Sequence, residues 1–265
     1  MKKILLLLII VVSYSGIYAQ NDSIYLWKEG QLLAKHSIKA ADLDSITFKR
    51  PINPNGINIK GPNVTDIDGN VYASVSNCGQ TWTQRNLNVS KYSDGTPIPQ
   101  VTDPIVWQKL TTGAWCYYNN DPASEVVYGK LYNWYAVAGI YNSASNTNPA
   151  LRKKLVPTGW HVPSDSEWTQ LTDCLGGGEV AGGKMKKTDW GVGATNSSGF
   201  TALPGGYRYS NGTFYYGGAF GWWWSTTDFD DISSNWGRLL DSSSDDALRT
   251  ACTKPYGISV RCIKD

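Results

Sequence analysis

The side chains whose types and spacing could do chemistry concentrate in Gly159 to Trp168, GWHVPSDSEW, where His161, Ser164 and Glu167 stand three residues apart. His161 is the sole histidine of residues 63–265 and so the candidate for a catalytic base. A base needs an activated partner within reach, and no Gly-x-Ser-x-Gly elbow or similar nucleophile signature accompanies it. A histidine that fixes a loop by hydrogen bonds is the stronger reading. Ser164 followed by Glu167 is a capping box, which satisfies two backbone donors left over at a helix start. Pro163 before the cap can pack on Trp168 as a hydrophobic staple. Only Trp160 and His161 are left without a role from spacing, and no catalytic residue is assigned.

Other reactive side chains are less organised. Five cysteines occur, Cys78, Cys116, Cys174, Cys252 and Cys262, with no C-x-x-C pair. In an oxidising compartment one or two disulfides are expected, and the spacing does not choose among the pairings. Cys116 and Cys262 sit in aromatic or apolar surroundings, which suits structural thiols better than reactive ones. Asp66 to Asn70 reads as a hairpin turn rather than a calcium loop, because no bidentate glutamate follows. Asp228, Asp230, Asp231, Asp241, Asp245 and Asp246 crowd a serine-rich stretch without diagnostic spacing. Calcium is conceivable there but not indicated, so no cofactor is expected. Trp222, Trp223, Tyr215 and Tyr216 are the candidate ligand-contacting residues, since aromatics bury large area at low entropic cost. Strand alternation sends at least one of Trp222, Trp223 and Trp224 into the core.

The elements that must position these residues begin after a targeting signal. Lys2 and Lys3 precede an apolar run, and small residues lead to an expected cleavage after Ala19, so residues 1–19 read as a signal peptide. Removing them leaves 22 basic residues against 22 acidic ones. Near-neutrality gives no reason to expect nucleic acid as partner, and no transmembrane segment is expected after cleavage. Residues 20–50 read as a small β segment, with a strand, a turn at Lys28-Glu29-Gly30 and a second strand; Asp44 to Phe48 could add a third. Residues 51–62, rich in Pro, Gly and Asn, read as a linker.

Residues 63–265 suffice for one domain. Val64 to Tyr72 reads as a β-hairpin turning at Asp68-Gly69-Asn70. Helical spacing of Leu131, Trp134, Tyr135 and Ala138 predicts a helix over 129–138, ending before Gly139. The capped helix from Ser164 runs to Gly176-Gly177-Gly178, with Cys174 on the flank of its apolar face. A short helix is expected at Lys184 to Lys187. Strands are expected at Tyr207 to Tyr209, Thr213 to Tyr216 and Gly257 to Ile263, the first two joined at Asn211-Gly212. The fold class is therefore α+β.

Taken in order, Asp66 to Tyr72, Gln80-Thr81-Trp82, Arg85 to Asn88, Trp115 to Asn120, Tyr128 to Trp134, Gly159 to Trp168, Thr195 to Phe200, Leu203 to Gly206 and Ser259-Val260-Arg261-Cys262 resemble the Fibrobacter succinogenes major paralogous domain over almost all of residues 63–265. Trp160, His161, Ser164, Glu167, Trp168, Arg261 and Cys262 are its structural markers here. Val156 stands before Pro157 where a cysteine is expected, which removes the expectation of a family disulfide at that position. The resemblance implies an exported bacterial domain without an established activity. Val162 to Trp168 and Ile258 to Cys262 are also similar to formylglycine-generating and sulfatase-modifying domains, which implies a C-type-lectin-like fold with short helices on twisted antiparallel sheets and long loops. That link concerns fold and not activity.

With 12 Trp, 16 Tyr, 27 Gly and 17% charged residues, the composition suits an extracellular, loop-rich protein. The expected function is that of an exported, non-catalytic binding or adhesion module with a glycan or protein ligand. Its place would be the cell surface, the medium or the periplasm. A sulfatase-modifying-type enzyme would instead need an accessible reduced cysteine, and a structural envelope or matrix protein would self-associate.

Overall fold

The computed structural model describes the backbone of two N-terminal strands, residues 59–229 and residues 233–265. The signal segment and the third strand expected at Asp44 to Phe48 lie outside the described residues. The chain divides into a unit of residues 1–50 and a unit of residues 51–265. In the first, Ser23–Lys28 pairs antiparallel with Gln31–Ser37, with a register shift at Leu26/Trp27. The two expected strands are present, and the turn residues Glu29 and Gly30 lie outside the described residues.

The second unit is α+β, with several small antiparallel sheets joined by long loops. A five-stranded sheet runs in the order Trp160–His161, Ile263–Lys264, Gln80–Thr83, Ser74–Asn77, Ile59–Lys60. Its edge strand corrects the linker boundary: Ile59 and Lys60 pair with Ser76 and Val75, and Gly61 N–H donates to Ser74 O at 2.8 Å. Two strand-compatible residues inside a Pro/Gly/Asn-rich stretch were enough to satisfy an open sheet edge. A three-stranded sheet, Phe220–Asp228, Ser234–Asp241 and Leu248–Thr253, forms the second platform.

The helices Asp165–Cys174 and Gly178–Met185 cover a tryptophan core. Trp82 meets Trp168 at 4.7 Å between ring centroids, and Phe200 and Trp223 complete the cluster. A disulfide ties Cys78, beside the strand Gln80–Thr83, to Cys174 on the first of these helices. Gly176 and Gly177 adopt φ of +112° and +98°, which only glycine takes without strain, and there the helix stops.

Three further expectations are revised. Residues 129–138 do not form one helix: Leu131–Tyr132 is a strand paired with Trp115–Cys116, and only Trp134–Val137 is helical. Leu131 and Tyr132 are both fully buried, and Asn133 caps the short helix by accepting from Ala136 N–H. Burial on both faces overrode the helical spacing. The helix expected at Lys184 to Lys187 instead ends at Met185, because Lys186 turns extended and bridges to Ala202. The run Gly257 to Ile263 is a strand only from Ile263; Gly257, Ile258 and Ser259 each bridge a different partner, Arg208, Tyr132 and Trp223.

Candidate functional site

The helix start is built as its sequence specifies. Ser164 Oγ accepts from Glu167 N–H at 3.3 Å, and Glu167 Oε2 accepts from Ser164 N–H at 2.8 Å. Pro163 is buried, and its carbonyl accepts from Thr226 N–H at 2.9 Å. Trp168 is fully buried, its indole N–H donating to Trp224 O. Trp160 packs in the core and has no open face for a ligand.

His161 lies between two carboxylates: Nε2 is 2.8 Å from Glu167 Oε1 and Nδ1 is 2.7 Å from Asp265 Oδ1. Partial burial works to lower its pKa, but the hydrogen bonds to Asp265 and Glu167 outweigh it and raise the pKa above the usual value. Both ring nitrogens are thus engaged by carboxylates of the fold. His161 therefore ties the strand Ile263–Lys264 to the helix start. Burial would raise the Glu167 pKa, but Ser164 and His161 hold it below the usual carboxylate range.

Arg261 is fully buried without a carboxylate. Its guanidinium donates to Asn86 Oδ1, Thr83 O, Phe200 O and Thr201 O and lies 4.3 Å from the Phe200 ring centroid. Burial pulls its pKa down to about 9. Arg208 is held in the same manner by Val101 O, Thr102 O and Gly212 O between Trp107 and Phe214. These cations staple loops through backbone carbonyls. Cys262 is buried next to Arg261, and its N–H donates to Thr83 Oγ1. Cys116, Cys252 and Cys262 are unpaired and buried, and burial pushes each thiol up to about 12.

The candidate ligand-contacting residues separate. Tyr215 and Tyr216 are 39% and 55% exposed, whereas Trp223 is fully buried and its indole N–H donates to Asn86 Oδ1 at 2.9 Å. Trp223 is thus withdrawn as a contact residue: alternation along Phe220–Asp228 turns it into the tryptophan core, while Trp222 and Trp224 face the other way. Trp222 is half-buried and packs, tilted, beside Tyr207 at 5.1 Å between ring centroids. Its shielded indole N–H has no hydrogen-bond partner among the described residues.

Around Tyr207 the structure assembles an aromatic plateau. Tyr207 meets Tyr215 at 5.8 Å, Tyr216 at 6.2 Å and Tyr256 at 5.5 Å, and Tyr209 packs on Tyr256 at 5.0 Å. Phe220 supports Tyr216 at 4.6 Å. The hairpin Tyr207–Arg208/Phe214–Tyr215 sets Tyr207 opposite Tyr215, and Tyr209, 37% exposed, follows on the same face. Burial raises the Tyr207 and Tyr256 pKa values, so both phenols stay neutral hydrogen-bonding groups. Tyr207 and Tyr209 were foreseeable from the Asn211-Gly212 turn, which fixes the register. Tyr256 arrives from a distant loop, and no local signal marks it.

Asp66, Asp228 and Asp241 serve local hydrogen bonding. Asp66 Oδ1 accepts from Asp68 N–H and Asn70 N–H, closing the hairpin turn. Asp228 accepts from Asn235, and Asp241 Oδ1 accepts from Ser243 and Ser244 N–H; Asp230 and Asp231 lie outside the described residues. Among the described residues, no three His, Cys, Asp or Glu side chains converge as around a metal ion, and no helix is long and apolar enough to cross a membrane.

Residues 75–264 match the family profile described as the Fibrobacter succinogenes major domain. No curated protein and no solved structure matches the chain.

Proposed function

The chain belongs to the Fibrobacter succinogenes major domain family, and on that premise we propose that it is an exported, non-catalytic binding or adhesion module of a bacterial envelope. Its ligand, a glycan or a protein, is held on the plateau around Tyr207. The observation that carries this reading is the exposure of Tyr209, Tyr215 and Tyr216 on a base of half-buried aromatics. Rigid rings with hydroxyl tips offer large contact area at little entropic cost and donate or accept hydrogen bonds at their rims.

Export is supported by the signal-like start and by the Cys78–Cys174 bridge, which belongs to oxidising compartments. The C-type-lectin-like assignment of the fold is part of the same proposal, supported by the capped helix and the final strand that pairs beside it. The sulfatase-modifying alternative needs an accessible thiolate, and the three free cysteines are buried with raised pKa values. The test is a glycan array together with a pull-down from envelope extract, using wild type and a Tyr215→Ala/Tyr216→Ala variant. The proposal expects a ligand retained by wild type and lost by the variant. Blank results with folded wild type in both assays would reject it.

A further inference from the structure

Away from the plateau, an amine, an amide and a carboxylate meet under an aromatic cover. Lys130 precedes the strand Leu131–Tyr132, Glu125 lies on the helix Ala123–Tyr128, and Asn88 sits beyond the strand Gln80–Thr83. Lys130 is 4% exposed, and its Nζ stands 4.7 Å from the Trp115 ring centroid and 5.5 Å from that of Tyr117. Nζ donates to Asn88 Oδ1 at 3.0 Å, to Asn88 O at 2.7 Å and to Glu125 Oε1 at 2.9 Å. The same Glu125 Oε1 accepts from Asn88 Nδ2 at 3.0 Å, and Oε2 accepts from the Tyr117 hydroxyl at 3.0 Å. One carboxylate thus bridges an amine and an amide nitrogen, and the bonds to Oδ1 and Nδ2 fix which way the amide points.

Amide exchange requires a nucleophile, an electrophilic carbonyl carbon and a proton carrier in contact with both nitrogens. A C=O bond of about 1.23 Å puts Nζ no further than about 4.2 Å from Asn88 Cγ. A shift of about 1 Å or less reaches the roughly 3–3.5 Å of a near-attack geometry. Burial would raise the Glu125 pKa, but hydrogen bonds from Lys130, Asn88 and Tyr117 hold it below the usual carboxylate range, so the group stands in the form that accepts a proton. A cavity of about 250 Å³, lined in part by Asn88, Glu125 and Gly129, leaves a small product a way out.

We propose that Lys130 and Asn88 join as an intramolecular isopeptide bond, with Glu125 as the catalytic proton carrier. Glu125 takes a proton from the Lys130 ammonium, and the freed Nζ electron pair attacks Asn88 Cγ. Glu125 gives that proton to Nδ2 and takes another from Nζ, and the bond between Cγ and Nδ2 breaks. Ammonia leaves and takes the proton back from Glu125, which restores the carboxylate. In sum, one lysine ammonium and one asparagine amide give one secondary amide and one ammonium ion, with no change of oxidation state. The bond fastens residues 42 apart in the chain and, unlike the Cys78–Cys174 bridge, resists reducing agents.

The test is mass spectrometry of the full exported chain after reduction of its disulfide. The intact wild type is expected to be lighter than its sequence by about 17 Da, one ammonia. Its tryptic digest is expected to hold peptide 86–91 joined through Asn88 to a peptide left uncut at Lys130. The branched peptide decides, because Gln20 as a new N-terminus loses the same mass on cyclising. Lys130→Arg and Glu125→Gln should each release peptide 86–91 free, with no branched product. Cooperative unfolding of Glu125→Gln, recorded on the same sample, ties the lost bond to proton transfer; where a variant does not fold, the wild-type digest alone decides. Wild type cut at Lys130 with peptide 86–91 free overturns the proposal. A branched peptide in Glu125→Gln overturns the role given to Glu125.

Discussion

The helix start at Gly159 to Trp168 and the plateau around Tyr207 are both rich in aromatic and hydrogen-bonding groups, yet they spend them differently. At the helix start the polar groups are spent on partners within the fold: Ser164 on Glu167, His161 on Glu167 and Asp265, Trp168 on Trp224 O. On the plateau the rings pack against one another and present Tyr209, Tyr215 and Tyr216 to solvent. A dense motif in sequence therefore marks the fold, while a dispersed set of tyrosines forms the exposed surface that we propose holds the ligand. Substitutions in the first region should cost stability, and those in the second should cost binding alone.

The largest loss is expected from Trp168→Ala, which empties the centre of the Trp82–Phe200–Trp223 cluster and should cost about 3–5 kcal/mol in denaturant unfolding. Next, replacing Cys78 and Cys174 together by serine removes a cross-link spanning 96 residues and should cost about 2–4 kcal/mol. Ser164→Ala removes one half of the capping box and should cost about 1 kcal/mol, read from the same unfolding curves. An unchanged midpoint in any of these variants would remove that residue from the structural side of the contrast.

His161 should contribute less, about 1 kcal/mol or below, because it is partly exposed and salt-screened. Its folded pKa is raised above that of the unfolded chain. Its stabilisation is therefore fully present below the unfolded value of about 6.5 and is lost as pH rises through the folded pKa. Unfolding midpoints across that window should fall for wild type relative to His161→Ala. Parallel pH profiles would show that the histidine does not clasp the final strand.

How much of this was legible in the sequence follows from how local each signal is. The capping box needs four consecutive residues, so Ser164 and Glu167 could be assigned outright. The Asn211-Gly212 hairpin was equally readable. The Leu131 to Ala138 spacing misled because burial on both faces makes a short strand look like a helix. Trp223 and Trp222 could not be told apart before the strand's facing was known. Tyr256 depends on a loop brought in from far along the chain, so no window of sequence contains the plateau. The five cysteines left the pairing open, and only proximity of Cys78 to Cys174 decides it.

The smallest change in stability, within about 0.5 kcal/mol, is expected for Tyr215→Ala/Tyr216→Ala, whose side chains are the most exposed of the plateau. The same variant should show the greatest change in binding. Its retention of the glycan or protein captured by wild type, measured beside its unfolding midpoint, addresses the plateau most directly. We predict lost retention with an unchanged midpoint. Full retention by a variant as stable as wild type would contradict the assignment of the plateau as the binding surface.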